Sequence, residues 1–235
     1  TTEELIAATK NPQYKMLVLT PPTRRNGSAF LIGYKNYSDE VITAVKEFAE
    51  SGKTVILTGW GDYYESYNKY SDGTPYQLPA TDHMSAQQNK ILKALGSNLR
   101  ISDDEIKDDT NNGGQPMRLY LTEYNLDNPF LARVKPAVLD ESGKVLDGQV
   151  YSNYGGSTVY SVGEDKLPSE TLAPTVSPMV YAFTSSYSAD DDKDGTTGTG
   201  IDGVSVPKYN NKYMVAASES ITYENGKTAT VIVAG

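Results

Sequence analysis

Ser38-Asp39-Glu40-Val41-Ile42-Thr43-Ala44-Val45-Lys46-Glu47-Phe48-Ala49-Glu50-Ser51-Gly52-Lys53-Thr54-Val55-Ile56-Leu57-Thr58 decides how this chain folds. Ser38 offers an N-terminal cap, and Asp39 and Glu40 place negative charge in the first turn, where a helix dipole favours it. Val41, Ile42, Val45, Phe48 and Ala49 recur at three- and four-residue spacing, which predicts one buried helix face. Gly52 supplies the stop. Lys53–Thr58 then reads as a buried strand that ends at Gly59. Upstream, Tyr14-Lys15-Met16-Leu17-Val18-Leu19-Thr20 is a second apolar run, closed by Pro21-Pro22. Strand, capped helix and strand in this order predict a βαβ unit with parallel strands.

Outward from this unit, residues 3–10 predict a short leading helix. Residues 60–82 form a tyrosine-rich loop with Trp60, Tyr63, Tyr64, Tyr67, Tyr70 and Tyr76. A second helix is expected to follow, with Ser85 and Gln88 as a capping box, Ile91, Leu92 and Leu95 as its apolar face and Gly96 as its end. Asn98–Ile101 reads as a strand and 102–116 as an acidic, turn-rich segment. The second half is strand-rich, with candidates at 117–121, 144–151, 158–162, 180–183, 212–217 and 229–233. A polar loop covers 184–203, and Asn225-Gly226 predicts a tight turn. No internal repeat or apolar-poor linker divides the chain, so 1–235 is expected to be a single domain. The Thr1 start and the stop at Gly235 directly after a strand suggest a domain excised from a longer precursor.

A net charge of -9 over 235 residues disfavours attraction to phosphate backbones, so no nucleic-acid partner is expected. No apolar run approaches the roughly 20 residues that span a bilayer, so no membrane insertion is expected. There is no cysteine, which removes disulfides, thiolate metal sites and a cysteine nucleophile together. This absence, with 18 tyrosines, acidity and Asn/Ser/Thr/Gly-rich loops, suggests a secreted or cell-surface protein of Gram-positive type.

Four groups of residues carry chemistry. Asp190-Asp191-Asp192-Lys193-Asp194-Gly195 matches the first half of a calcium loop, with Asp190, Asp192 and Asp194 as alternate carboxylate ligands and a glycine for the turn. The twelfth position is Ile201 rather than Glu, with Asp202 one further on, and the plainer reading is a solvated acidic loop. His83, the only histidine, lies beside Asp82 at a helix start. It suits a general base or a metal ligand, but no partner can be named from sequence, so a polar residue at the helix start is the preferred reading. Trp60, Tyr63 and Tyr64 suit a carbohydrate-stacking or protein-contact face, or packing onto their own domain. Arg24-Arg25 after the first strand lies where α/β sheets bind anions, although exposed arginines are more often simply solvated. No G-x-S-x-G elbow exists to support a serine triad.

Three segments resemble the class I glutamine amidotransferase-like superfamily, in particular uncharacterised accessory domains of secreted multidomain Firmicutes proteins. They are Val45–Leu57, Met84–Gly96 with Leu99-Arg100-Ile101 and Asp103-Asp104-Glu105, and Tyr213–Glu219 with Thr230–Gly235. The resemblance implies an α/β, three-layer, flavodoxin-like sandwich with a mostly parallel central sheet and late antiparallel additions. The amidotransferases themselves use a cysteine on a glycine-flanked turn. Here Gly59-Trp60-Gly61 has tryptophan instead, which excludes thiol-dependent glutamine hydrolysis. The expectation is therefore a non-catalytic accessory or binding domain, partnered by other domains of its polypeptide and by a carbohydrate or protein ligand. The alternatives are a hydrolase using carboxylates and His83 with a divalent metal, and a calcium-stabilised adhesion domain.

Overall fold

The computed structural model describes residues 1–22, 25–26, 29–30, 36–67, 79–193 and 206–235. Helix α1 (Thr2–Lys10) begins at a reciprocal cap, in which Thr1 Oγ1 accepts from the Glu4 amide and the Glu4 carboxylate takes the Thr1 ammonium. Strand β1 (Met16–Leu19) and two short strands, β2 (Arg25–Asn26) and β3 (Ala29–Phe30), precede helix α2 (Asp39–Glu50). The Ser38 hydroxyl accepts from the Val41 amide at 3.4 Å, and Gly52 terminates the helix at φ +84°. Strand β4 (Thr54–Thr58), helix α3 (Met84–Ala94) and strand β5 (Leu99–Ile101) follow, all close to their expected positions.

The remainder is strand. It comprises β6 (Glu105–Lys107), β7 (Arg118–Leu121), β8 (Glu123–Tyr124), β9 (Val138–Leu139), β10 (Val145–Asp147), β11 (Tyr151–Tyr154), β12 (Val159–Ser161), β13 (Val176–Tyr181), β14 (Tyr187–Ala189), β15 (Met214–Thr222) and β16 (Thr228–Ala234). The main sheet has eight strands, ordered β1-β4-β16-β15-β12-β5, with β13 pairing to β15 and β8 to β13. β4 is parallel to both β1 and β16. Every other pairing in this sheet is antiparallel. Four small two-stranded sheets lie apart from it: β10-β9, β11-β7, β14-β6 and β2-β3.

The expected flavodoxin-like, three-layer sandwich with a mostly parallel sheet is therefore incorrect. The βαβ unit β1–α2–β4 forms as its periodicity predicts, but parallel order does not spread through the sheet. Parallel neighbours need long crossovers, usually helical, whereas antiparallel neighbours need only a turn. Past Ala94 the described residues contain no α-helix, and the strands there pair antiparallel, some as hairpins and some across long stretches of sequence. The Tyr223–Lys227 turn is typical, with Gly226 at φ +76° joining β15 to β16.

All three helices pack on one face. Leu5 and Ile6 of α1, Val45, Phe48 and Ala49 of α2, and Ile91 and Leu92 of α3 share one core with Leu19, Val55, Leu57, Val231 and Val233. Alternate residues of β4 and β16 enter this core, as a half-buried pleat requires. The second core is built by strands: Leu119 and Leu121 of β7 meet Val180, Val215 and Ala216, with Tyr151 packed alongside. One face is thus covered by helices and the other, in part, by the antiparallel pair β7–β11.

Candidate cation site at the strand ends

The C-terminal ends of β4, β5 and β16 come together. A Cβ on Gly59 would sit 2.9 Å from Ile101 Cγ2 and 3.3 Å from Gly235 Cα, so a larger residue there would wedge these ends apart. Gly61 is similarly pressed against Glu105 and the Gly155 carbonyl, which accepts its N–H at 2.8 Å. The glycines flanking Trp60 are there for close backbone packing. They do not form a nucleophile turn.

Four segments deliver polar side chains to this junction, three of them acids. After Gly61 a 3-10 turn presents Asp62, 3% exposed. After β5 the chain delivers Asp103, Asp104 and Glu105, all buried. The N-terminus of α3 contributes His83 and Ser85, and the segment after β14 contributes Asp190, Asp191 and Asp192. His83 Nδ1 lies 2.8 Å from Asp103 Oδ2 and 3.9 Å from Asp192 Oδ2. The Ser85 hydroxyl donates to Asp103 Oδ1 at 2.8 Å, so Ser85 does not form the expected capping box. His83 occupies the cap position of α3, without a side-chain cap bond. The Met84 amide donates to Glu65 instead, at 2.8 Å. Asp104 is held by the Thr158 amide and by the hydroxyls of Thr158 and Ser188.

Asp62, Asp190 and Asp192 each offer a carboxylate oxygen within 4.8 Å of the others. The Asp191 amide donates to Asp62 Oδ2 at 2.9 Å, tying the loop to the strand end. Asp62 Oδ1 is buried and accepts no hydrogen bond among the described residues. Burial, reinforced by the charges of Asp104, Asp192 and Asp103, pushes the Asp62 carboxyl up to about 9 against the one opposing bond from Asp191. Burial also raises Asp104 to about 6, although three hydrogen bonds resist it. Glu105 is raised to about 8 by burial and by the adjacent Asp191 carboxylate, with Lys107 opposing. Asp191 moves the other way: burial would raise it, but Glu105 and the Lys107 ammonium hold it below the usual carboxylate range. Lys107 neutralises the Asp191–Glu105 side only.

The structure thus joins residues that the sequence had kept apart. Asp190 and Asp192 converge with Asp62, which the sequence reading did not include. Asp194, Gly195, Ile201 and Asp202 lie outside the described residues, as does Arg24, and of Arg25 only the backbone is described. His83 is not a plain polar residue at a helix start, because it is 1% exposed and paired with Asp103. Trp60 is 47% exposed, its ring centroid 4.8 Å from that of Tyr64, which meets Tyr63 edge-on at 5.8 Å. Tyr70 and Tyr76 lie outside the described residues. Asp62, Asp103, Asp104 and Glu105 escaped the sequence reading. The available signal was position: three consecutive acids directly after a strand, at the edge where α/β sheets bind ligands.

No protein-family model matches the chain, and no curated protein matches it. Among solved structures, one titled mmIFT52 N-terminal domain superposes over 100% of this chain and 68% of its own length, with a TM-score of 0.52 and 10% identity. This likeness shows a shared fold and nothing of activity. Among the described residues, no helix is long and apolar enough to cross a membrane.

Proposed function

We propose that this chain is a cation-stapled binding domain of a larger secreted or cell-surface protein. In this reading Asp62, Asp190 and Asp192 hold a calcium ion, and the neighbouring Trp60, Tyr63 and Tyr64 form the contact face for a carbohydrate or protein ligand. One observation carries the proposal: Asp62, whose buried Oδ1 has no donor among the described residues, has a carboxylate oxygen within 4.8 Å of oxygens of two further carboxylates. Two like charges about 4 Å apart repel by about 4 kcal/mol at an effective dielectric of 20, and a cation held among the three carboxylates would offset that repulsion. The ligand set is oxygen only, which suits calcium rather than a transition metal. The ion would fasten the 190–192 segment to the end of β4.

Thermal melts of the protein, with calcium and after chelation, test this reading. Calcium should raise the midpoint of the native chain and leave Asp62→Asn unmoved. A calcium-independent midpoint in the native chain would remove the ion from the account. A hydrolase reading is favoured by one contact, the His83–Asp103 pair beside the cation trio. At 1% exposure, however, His83 offers little reach to a substrate. Metal-dependent cleavage of model esters that is abolished by His83→Gln would revive it.

A further inference from the structure

Beside Asp103, a cavity of ≈ 280 Å³ opens between α3 and the segment after β12. Its character is opposite to that of the acidic trio. Arg100, 5% exposed, lies in its wall, with Lys90 and Lys93 of α3 on one side and Lys166 on the other. The one carboxylate in the lining is Asp103, and both of its oxygens are already engaged, by Ser85 and His83. In a chain of net charge -9, four cationic side chains around one cavity are a local reversal of sign.

The donors are also uncommitted. Both hydrogen bonds of Arg100 come from Nη1, to the carbonyls of Ser97 at 2.8 Å and Leu99 at 2.6 Å. Among the described residues, no hydrogen bond engages the remaining N–H groups of its guanidinium. Among the described residues, no hydrogen bond or ion pair engages Lys90, Lys93, Lys166 or the Tyr160 hydroxyl. The bonds at Nη1 fix the plane of the guanidinium, so its fork is presented ready for two oxygens. The other lining is apolar: Ala86, Val162, Pro168 and the ring of Tyr160. The volume lies at the small end of the range for ligand pockets, which fits a small molecule.

We propose that this cavity binds a small organic dianion, with a phosphate monoester headgroup on the Arg100 fork and between the lysines, and its apolar body against Tyr160, Val162 and Pro168. The site is separate from the cation trio and needs no metal. The shared chemistry of its guests is two negative charges on a compact apolar body, so an aromatic dicarboxylate is the competing source.

Titration calorimetry on ion-free protein, desalted after chelation, tests this with phenyl phosphate, phthalate and neutral phenol as probes. Phenyl phosphate should bind saturably with a Kd of about 1 mM or tighter, and phenol should not bind. A Lys90→Gln/Lys93→Gln double variant should bind about tenfold more weakly with its melting midpoint unchanged, because these lysines have no hydrogen-bond or ion-pair partner among the described residues. Arg100→Lys, which keeps the charge but loses the fork, should weaken phenyl phosphate more than simple chloride competition does. Absence of saturable binding, or binding indifferent to the lysine changes, would overturn the proposal. Binding of phthalate in place of phenyl phosphate would overturn the phosphate assignment. Asp62→Asn, run alongside, should bind phenyl phosphate like the native chain, which keeps the outcome separate from the calcium question.

Discussion

Two buried acids make opposite cases for what a carboxylate does inside this protein. Glu219 is 2% exposed and fully served: Ser97 Oγ at 2.5 Å, the Asn98 amide and side chain each at 2.9 Å, and Thr175 Oγ1 at 2.8 Å all donate to it. It pins the start of β5 to β15. Glu219→Ala should cost about 3 kcal/mol in a denaturant titration, since it strands several donors that bond to a charge. Asp62 has the same degree of burial but only one donor, and its raised pKa follows from that difference. Asn mimics the protonated form of Asp62. Asp62→Asn should therefore raise the stability of ion-free protein at pH 8 while cancelling the response to calcium. A loss of stability in that variant would show that Asp62 stays ionised and solvated.

At the scale of elements, α2 is the most strongly determined piece. Val41, Val45, Phe48 and Ala49 are buried as the spacing predicted, while Ile42 is only half-buried and Ala44 joins the buried face in its place. Phe48 is 2% exposed, and Phe48→Ala should cost about 3–5 kcal/mol, measured by urea unfolding. A cost below about 1 kcal/mol would mean that α2 does not close the core. Helix α2, strand β4 and the Asn225-Gly226 turn were legible because their signals are local: periodicity, a cap and a stop within a few residues. Strands β6 and β14 were not. Glu105–Lys107 reads as acidic surface and Tyr187–Ala189 as polar loop, yet they pair with each other across some 80 residues of sequence. The candidate site failed to show for the same reason. Asp62, His83, Asp103 and Asp192 come from four separate segments, and only the topology of the sheet joins them. The parallel order of β1 and β4 misled in turn, because one well-formed βαβ unit says nothing about strands that lack crossover helices.

For the molecule as a whole, the acid cluster predicts how stability depends on pH. Asp104 at about 6, Glu105 at about 8 and Asp62 at about 9 all lie above the ordinary carboxylate value near 3.9 of an unfolded chain. The native state therefore holds these protons more tightly than the unfolded one. Their contribution is complete below about pH 4 and is lost as pH rises through 6, 8 and 9. Asp191, held low, acts in the opposite sense, and its share is lost only in acid. Ion-free protein should melt at progressively lower temperature from pH 5 to pH 9, and saturating calcium should flatten that slope by taking the place of the Asp62 proton. A flat ion-free profile would mean that solvent reaches these groups.

The position of β16 has a consequence for how the chain is made. It lies between β4 and β15, so the sheet's spine is laid down from residues 228–234 while its parallel neighbour is drawn from residues 54–58. A ribosome must release nearly all of the sequence before those two strands can meet. Until then β4 has β1 along one edge and no partner strand along the other. Such a nascent chain is expected to stay open and to need shielding from aggregation, then to close late and all at once.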